Sequence, residues 1–248
     1  MAIDTRLLSV IKAINQLGIC SVLDLHRATG ISRPAVHRIV ECLCANGYAK
    51  RIDNGSSIRL TSQILELSAG YKPENSLAHK AEPILERLQK EIRWPHSFAT
   101  PDHDQMVIQE TTRHQNPFVF DNGRTGLHLP MLPTAMGCAY LAFAEPGFVE
   151  DQIDRAKKSQ QYTPEMITAA LRRINQAAEK GVALRSGGLA ARTSTVAVPV
   201  CIEGVAIGAL CSTFPTTAVP SSEIYSRFVP ILQNHAAEIA KSAVSRPH

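Results

Sequence analysis

"ATGISRPAVHRIVECLCANGY", residues 28–48, decides the fold of the first part of this chain. Gly30 supplies a turn and Ser32 stands where a helix N-cap belongs. Pro34 falls in the first turn of that helix, where a missing N–H costs nothing. Val36, Ile39, Val40 and Leu43 then recur at i, i+3, i+4 and i+7, the stripe of a helix with one buried face. Arg33, His37, Arg38 and Glu41 fall on the other face. The pattern predicts a helix that is apolar on one side and largely cationic on the other.

The flanking segments extend this reading in both directions. Leu7, Leu8, Ile11, Ile14 and Leu17 predict a first helix ending at Gly18, and Ser21 caps a second helix that stops at Gly30. On the other side, "YAKRIDNGSSIRL" reads as strands Tyr48–Ile52 and Ser57–Thr61 around an Asp-Asn-Gly turn. Three helices and a basic hairpin make a winged helix-turn-helix, expected over residues 1–62. Its third helix enters the major groove of double-stranded DNA with its N-terminal residues at base edges. Arg33 and Arg38 suit bidentate pairing with guanine, and Ser32 and His37 are short donors or acceptors beside Pro34. Lys50, Arg51 and Arg59 on the wing suit phosphates, which supply affinity rather than sequence choice.

Charge is divided the same way. Residues 1–72 hold nine Lys/Arg against five acids, and residues 73–248 hold seventeen of each, so the whole net charge of +4 lies in the first part. A basic module joined to a neutral one implies a polyanion-binding end and a separate second role. No run of about 18 apolar residues suggests a membrane span, and Met1–Asp4 lacks the pattern of a signal peptide. The six cysteines form no CxxC pair, and the expectation is reduced, buried thiols in a cytoplasmic protein.

A linker helix is expected over residues 63–76, from Ile64, Leu65 and Leu67 to Gly70 and Pro73, and Ser76 caps the helix that follows. Residues 77–248 then mix helices with strands. Hairpins are expected around Asp102–Asp104 and at Glu203-Gly204 within "TSTVAVPVCIEGVAIGALCSTF". Helices fit Thr134–Ala144, Pro164–Lys180 and Ser222–Val244. Helices set against an antiparallel sheet make an α+β domain.

"RLLSVIKAINQLG", "SVLDLHRATGISRPAVHRIVECLCANGYAKR" and "IRLTSQILELSAGY" resemble the IclR family of bacterial transcription regulators, and the likeness continues through nearly the whole chain. The resemblance implies a GAF-like α/β effector-binding domain after the linker helix. In such regulators a small organic acid sits between the sheet and the segment that here reads "LHLPMLPTAMGCAYLAF". Thr134, Ala135 and Met136 open a helix whose N–H groups could meet an anion. Cys211 and Thr213 share one strand face and match positions where the family's ligand meets polar side chains. Arg124 and His128 are candidates for a carboxylate. Met131 and Leu132 complete a soft, apolar lining that suits an aromatic acid. "LQKEIRWPHSFATPDHDQMVIQETTRH" is similar to members that govern breakdown of hydroxyphenylpropionate-type aromatic acids. Many members carry an acid shortly before the "AVPV" strand, whereas "RSGGLAARTSTVAVPV" has none.

The expected assembly is a homodimer or homotetramer on a palindromic operator, with RNA polymerase as a further partner and no cofactor. The alternative effector is a short aliphatic acid. Two other classes compete. An enzyme would use Cys138 with His128 and Asp121, and a metal sensor would use His96, His103, His114 and His128.

Overall fold

The computed structural model describes residues 5–69, 77–113, 123–187 and 192–244. The chain divides into two compact units, Met1–Lys72 and Pro73–His248. Among the described residues no helix is long and apolar enough to cross a membrane.

The first unit contains α1 (Thr5–Leu17), α2 (Val22–Thr29) and α3 (Arg33–Ala45), then β1 (Ala49–Ile52) and β2 (Ser57–Leu60) as an antiparallel hairpin. The stripe of α3 packs as the spacing predicts, whereas on α1 Ile14 is buried with Val10 and Ala13, and Leu8 and Leu17 of the expected stripe are exposed. Val36, Val40 and Leu43 of α3 are buried with Val10 and Ile14 of α1, Leu25 of α2 and Ile58 of the wing. Ser21 and Asp24 form a reciprocal capping box, with Ser21 N donating to Asp24 Oδ2 at 2.9 Å and Asp24 N donating to Ser21 Oγ at 3.2 Å. Ser32 is different: it occupies the N-cap position of α3, but its side chain makes no capping bond. After the wing a 3₁₀ turn, Ser62–Leu65, leads into α4 (Glu66–Ala69). The rest of the expected linker helix, and the expected Ser76 cap, lie outside the described residues.

In the second unit α5 (Leu77–Glu91) precedes β3 (His96–Asp102), β4 (Gln105–Thr111) and β5 (His128–Pro130). Then come α6 (Ala135–Leu141), α7 (Phe148–Lys158), α8 (Pro164–Lys180), β6 (Ala183–Ser186), β7 (Thr193–Ile202) and β8 (Val205–Pro215). The last helical stretch is α9 (Ser221–Glu223), a π-helical turn (Ile224–Phe228) and α10 (Val229–Val244). The strands form one antiparallel sheet in the order β5-β4-β3-β8-β7-β6. Alternation along each strand separates two cores. Ala197, Ala209 and Cys211 face α6 and α8, while Val196, Val198 and Leu210 face α5 and α10. The fold is α+β.

Local chemistry explains the best-matched elements. α8 starts on Thr163, whose side chain accepts from Met166 N, has Pro164 in its first turn, and stops at left-handed Gly181. β7 and β8 join through Glu203 and Gly204, both at positive φ, the two-residue turn whose twist suits a hairpin. Other elements differ from expectation. The expected helix from Ser222 starts at Ser221 and is broken by the π turn just before Pro230, which has no N–H and crowds the preceding carbonyls. The helix expected over Thr134–Ala144 is shorter, and α7, β5 and β6 were not anticipated. Cys20, Cys138 and Cys211 are buried as expected, but Cys42 is exposed and Cys44 and Cys201 are half-buried.

Candidate nucleic-acid interface and effector site

The turn into α3 is held by local hydrogen bonds. Thr29 Oγ1 donates to Leu25 O at 2.6 Å, Ile31 N donates to Thr29 Oγ1 at 3.3 Å, and His26 Nδ1 lies 2.7 Å from Ile31 O. The turn leaves Ser32, Arg33, Pro34, His37 and Arg38 exposed, with the two arginines and His37 along the open side of α3. On the wing, Lys50 and Arg59 stand directly opposite each other in the β1–β2 register, and both are exposed. Like charges in that position weaken a hairpin. Arg51 points elsewhere. Its Nη1 donates to Gly55 O at 3.0 Å and braces the wing tip, where Asp53 and Asn54 are left-handed.

In the second unit Cys211 and Thr213 do share one face, the side of the sheet under α6. Thr213 lies in a buried polar strip. Arg113 Nη2 donates to Thr213 Oγ1 at 3.2 Å, and Arg113 Nε faces Ser97 Oγ at 3.5 Å. Thr213 Oγ1 is 3.2 Å from Thr195 Oγ1 on β7. Arg185 on β6 donates through Nη2 to Thr195 Oγ1 at 2.9 Å and Thr193 Oγ1 at 3.2 Å, and through Nη1 to Gly187 O. Two guanidinium groups therefore converge on a run of threonine hydroxyls. The sequence reading missed Arg113, Ser97, Thr195 and Arg185. Arg185 stands in the segment where the family's usual acid is absent, and that was the available signal.

The other expected effector residues separate into two groups. Met131, Leu132, Thr134, Ala135 and Met136 are buried in the core beneath α6. Thr134 Oγ1 accepts from Gly137 N at 3.1 Å, so the helix N-terminus is capped by its own side chain. A Cβ at Gly137 would come within 2.1 Å of Met131 O, so close packing explains that glycine. Arg124 and His128 belong elsewhere. Arg124 is half-buried before β5. His128 is exposed on that edge strand, with Nε2 3.3 Å from Asp102 Oδ2. Three interstrand spacings and several residues separate His128 from Thr213, roughly 20 Å at ordinary sheet spacings. The two residues do not share a pocket.

The competing chemistries find little support. Burial pushes the Cys138 thiol up to about 11, and its Sγ is 3.3 Å from Leu132 O, the opposite of an activated nucleophile. Asp121 and His114 lie outside the described residues. His96 is fully buried with Nε2 2.8 Å from Ile92 O, and His103 and His128 are exposed. Among the described residues no three His, Cys, Asp or Glu side chains stand together as a metal site.

A winged helix with an open cationic face, carried in one chain with a sheet-based unit that buries a polar strip, defines a DNA-binding regulator. The comparisons give the family. The IclR helix-turn-helix domain matches residues 5–53, and the bacterial transcriptional regulator IclR C-terminal domain matches residues 70–241. The chain belongs to the IclR family of transcriptional regulators, and it is not an enzyme. It is 24% identical over 131 residues to the DNA-binding transcriptional repressor YiaJ of Escherichia coli, a match covering 53% of this chain and 46% of YiaJ. To the Pca regulon regulatory protein of Pseudomonas putida it is 26% identical over 218 residues, covering 86% of this chain and 73% of that protein. Among solved structures, the IclR of Thermotoga maritima shares the fold with a TM-score of 0.71 at 15% identity, covering 97% of this chain and 98% of the other. An IclR homolog from Microbacterium hydrocarbonoxydans, complexed with 4-hydroxybenzoate, has a TM-score of 0.66 at 22% identity, covering 96% and 98%.

Proposed function

We propose that this regulator reads a palindromic operator as a dimer, or a dimer of dimers, and that a small organic acid bound at the Arg113–Thr213–Thr195 strip alters that reading. The open cationic face of α3 carries the DNA assignment. Arg33 and Arg38 take base edges with Ser32, Pro34 and His37 beside them, Lys50 and Arg59 take phosphates, and Arg51 supports the wing. Leu8, Leu17, Ile19, Leu65 and Leu67 are exposed on the first unit, apolar surface suited to pairing with a second copy. RNA polymerase is a further partner of such an assembly.

The polar strip carries the effector assignment, because the guanidinium groups of buried Arg113 and half-buried Arg185 suit a carboxylate. An aromatic acid is favoured by the soft residues around α6 and by the relative that holds 4-hydroxybenzoate. A second reading, a short aliphatic acid, draws on the density of hydroxyls along the strip. Effector binding would shift the balance between arrangements of the paired units by ~1–3 kcal/mol.

Mobility shift of operator DNA tests the first assignment. The full chain should bind, and residues 77–248 alone should not; a shift by that fragment would sink it. Thermal denaturation against an acid panel tests the second, since a ligand at ~100 times its Kd adds about 2.7 kcal/mol. Stabilisation by pyruvate or glyoxylate, with no effect of benzoate or phenylpropionate, would leave the aliphatic reading in place of the aromatic one.

A further inference from the structure

Between α8, β6 and the Leu132–Pro133 turn lies a cleft of about 500 Å3. This is within the range of small-molecule sites, roughly 300–1,000 Å3. Leu132, Pro133, Tyr162 and Met166 form much of its wall, around the guanidinium groups of Arg173 and Arg185. Among the described residues no aspartate or glutamate lines it. Asp104, the acid that helps raise the Tyr162 pKa after burial, opens into a separate crevice beside Arg155.

Arg173 is the informative side chain. It is half-buried, and its Nε, Nη1 and Nη2 meet Ala169 O, Pro133 O and Leu132 O at 3.3, 3.2 and 3.5 Å. These contacts are long, and all are with neutral main-chain carbonyls. A guanidinium group has five N–H donors, so donors remain for an anion. Met166, a large apolar side chain, is exposed at the mouth.

We infer that this cleft is a second acid-binding site, distinct from the strip, that takes a carboxylate carried on a flat apolar body. Arg173 holds the carboxylate, as a planar fork suits that group. The Tyr162 ring and the Met166 thioether pack against the body. Arg185 lines the cleft and also donates to Thr195 and Thr193 of the strip, so the two sites share one cation. Occupation of one is thereby felt at the other.

Calorimetric titration of the full chain with benzoate tests the inference. The unaltered chain should take up two benzoates. Arg173→Gln should weaken one of them at least tenfold, and Thr213→Val should remove the other. Met166→Glu adds an acid at an exposed position where folding is not at risk, and it should weaken the same benzoate as Arg173→Gln by at least tenfold. One benzoate per chain, indifferent to Arg173→Gln and Met166→Glu but lost in Thr213→Val, overturns the cleft and leaves the strip standing. One benzoate lost in the first two variants and kept in Thr213→Val supports the cleft and moves the effector off the strip. No uptake of benzoate by the unaltered chain overturns the cleft, while the strip is still judged by its response to aliphatic acids.

Discussion

Arg113, just past the end of β4, reaches past β3 to donate to the Thr213 hydroxyl on β8 at 3.2 Å. Both residues are buried, and their contact ties three strands together on the face beneath α6. Each hydroxyl and guanidinium group there depends on its neighbours, because a buried polar group left without its partner costs free energy.

Thr213→Val removes the hydroxyl that accepts from Arg113 and pairs with the Thr195 hydroxyl. The expected cost is ~1–3 kcal/mol in thermal or urea denaturation, together with loss of the response to effector. Operator binding without effector should persist in the mobility shift. Retention of the full effector response would place the acid away from the strip.

Arg38→Ala and Arg59→Ala should fail in different ways. The first should lose ~1–3 kcal/mol of operator affinity and relax sequence preference. The second should weaken all DNA sequences about equally and lower the slope of log affinity against log salt by roughly one. Titrations at several salt concentrations on operator and random DNA separate the two. Equal loss of specificity in both variants would mean that helix and wing have been misassigned.

Ser21→Ala and Ser32→Ala form a second contrasting pair. Ser21 caps α2 through a reciprocal box, so its loss should cost about 1 kcal/mol of stability. Ser32 makes no side-chain capping bond, so its loss should leave the melting temperature nearly unchanged while weakening operator binding. A large fall in melting temperature for Ser32→Ala contradicts this assignment.

Burial pushes His96 down to about 4 from its ordinary 6.5, against the opposing pull of the Ile92 and Cys211 carbonyls; His235 and Arg113 press in the same direction as burial. The unfolded chain takes up this proton first, so the folded state loses stability as pH falls from about 6.5 towards 4. The full span is worth about 3 kcal/mol. Urea denaturation across that range should show a slope that His96→Asn reduces by about one proton. An unchanged slope in the variant would assign the acid sensitivity to other groups.

Periodicity and capping made the first unit readable, because Val36, Val40 and Leu43 pack where a 3.6-residue repeat puts them. Thr163, Pro164 and Gly181 marked α8 for the same local reasons. The site was less legible. That Cys211 and Thr213 share a face follows from a strand's period of two, but Arg113, which donates to Thr213, and Arg185, which donates to the neighbouring Thr195, are distant in sequence. Only the sheet order brings them together. The placement of Thr134–Met136 and His128 was hard to read for a related reason. Small residues can open a helix for a ligand or for a close neighbour, and only the packing around Gly137 distinguishes the two.

That packing also limits how the second unit can move. The Met131 carbonyl is pressed against Gly137, and Thr134 Oγ1 donates to Pro130 and Met131 while accepting from Gly137, so the turn at 130–134 is braced against the start of α6. If an acid binds as proposed, a displacement it starts is expected to carry this segment as a single lever. Its pivots then fall at the flanks, near Leu127–Leu129 on one side and Ala142–Glu145 on the other.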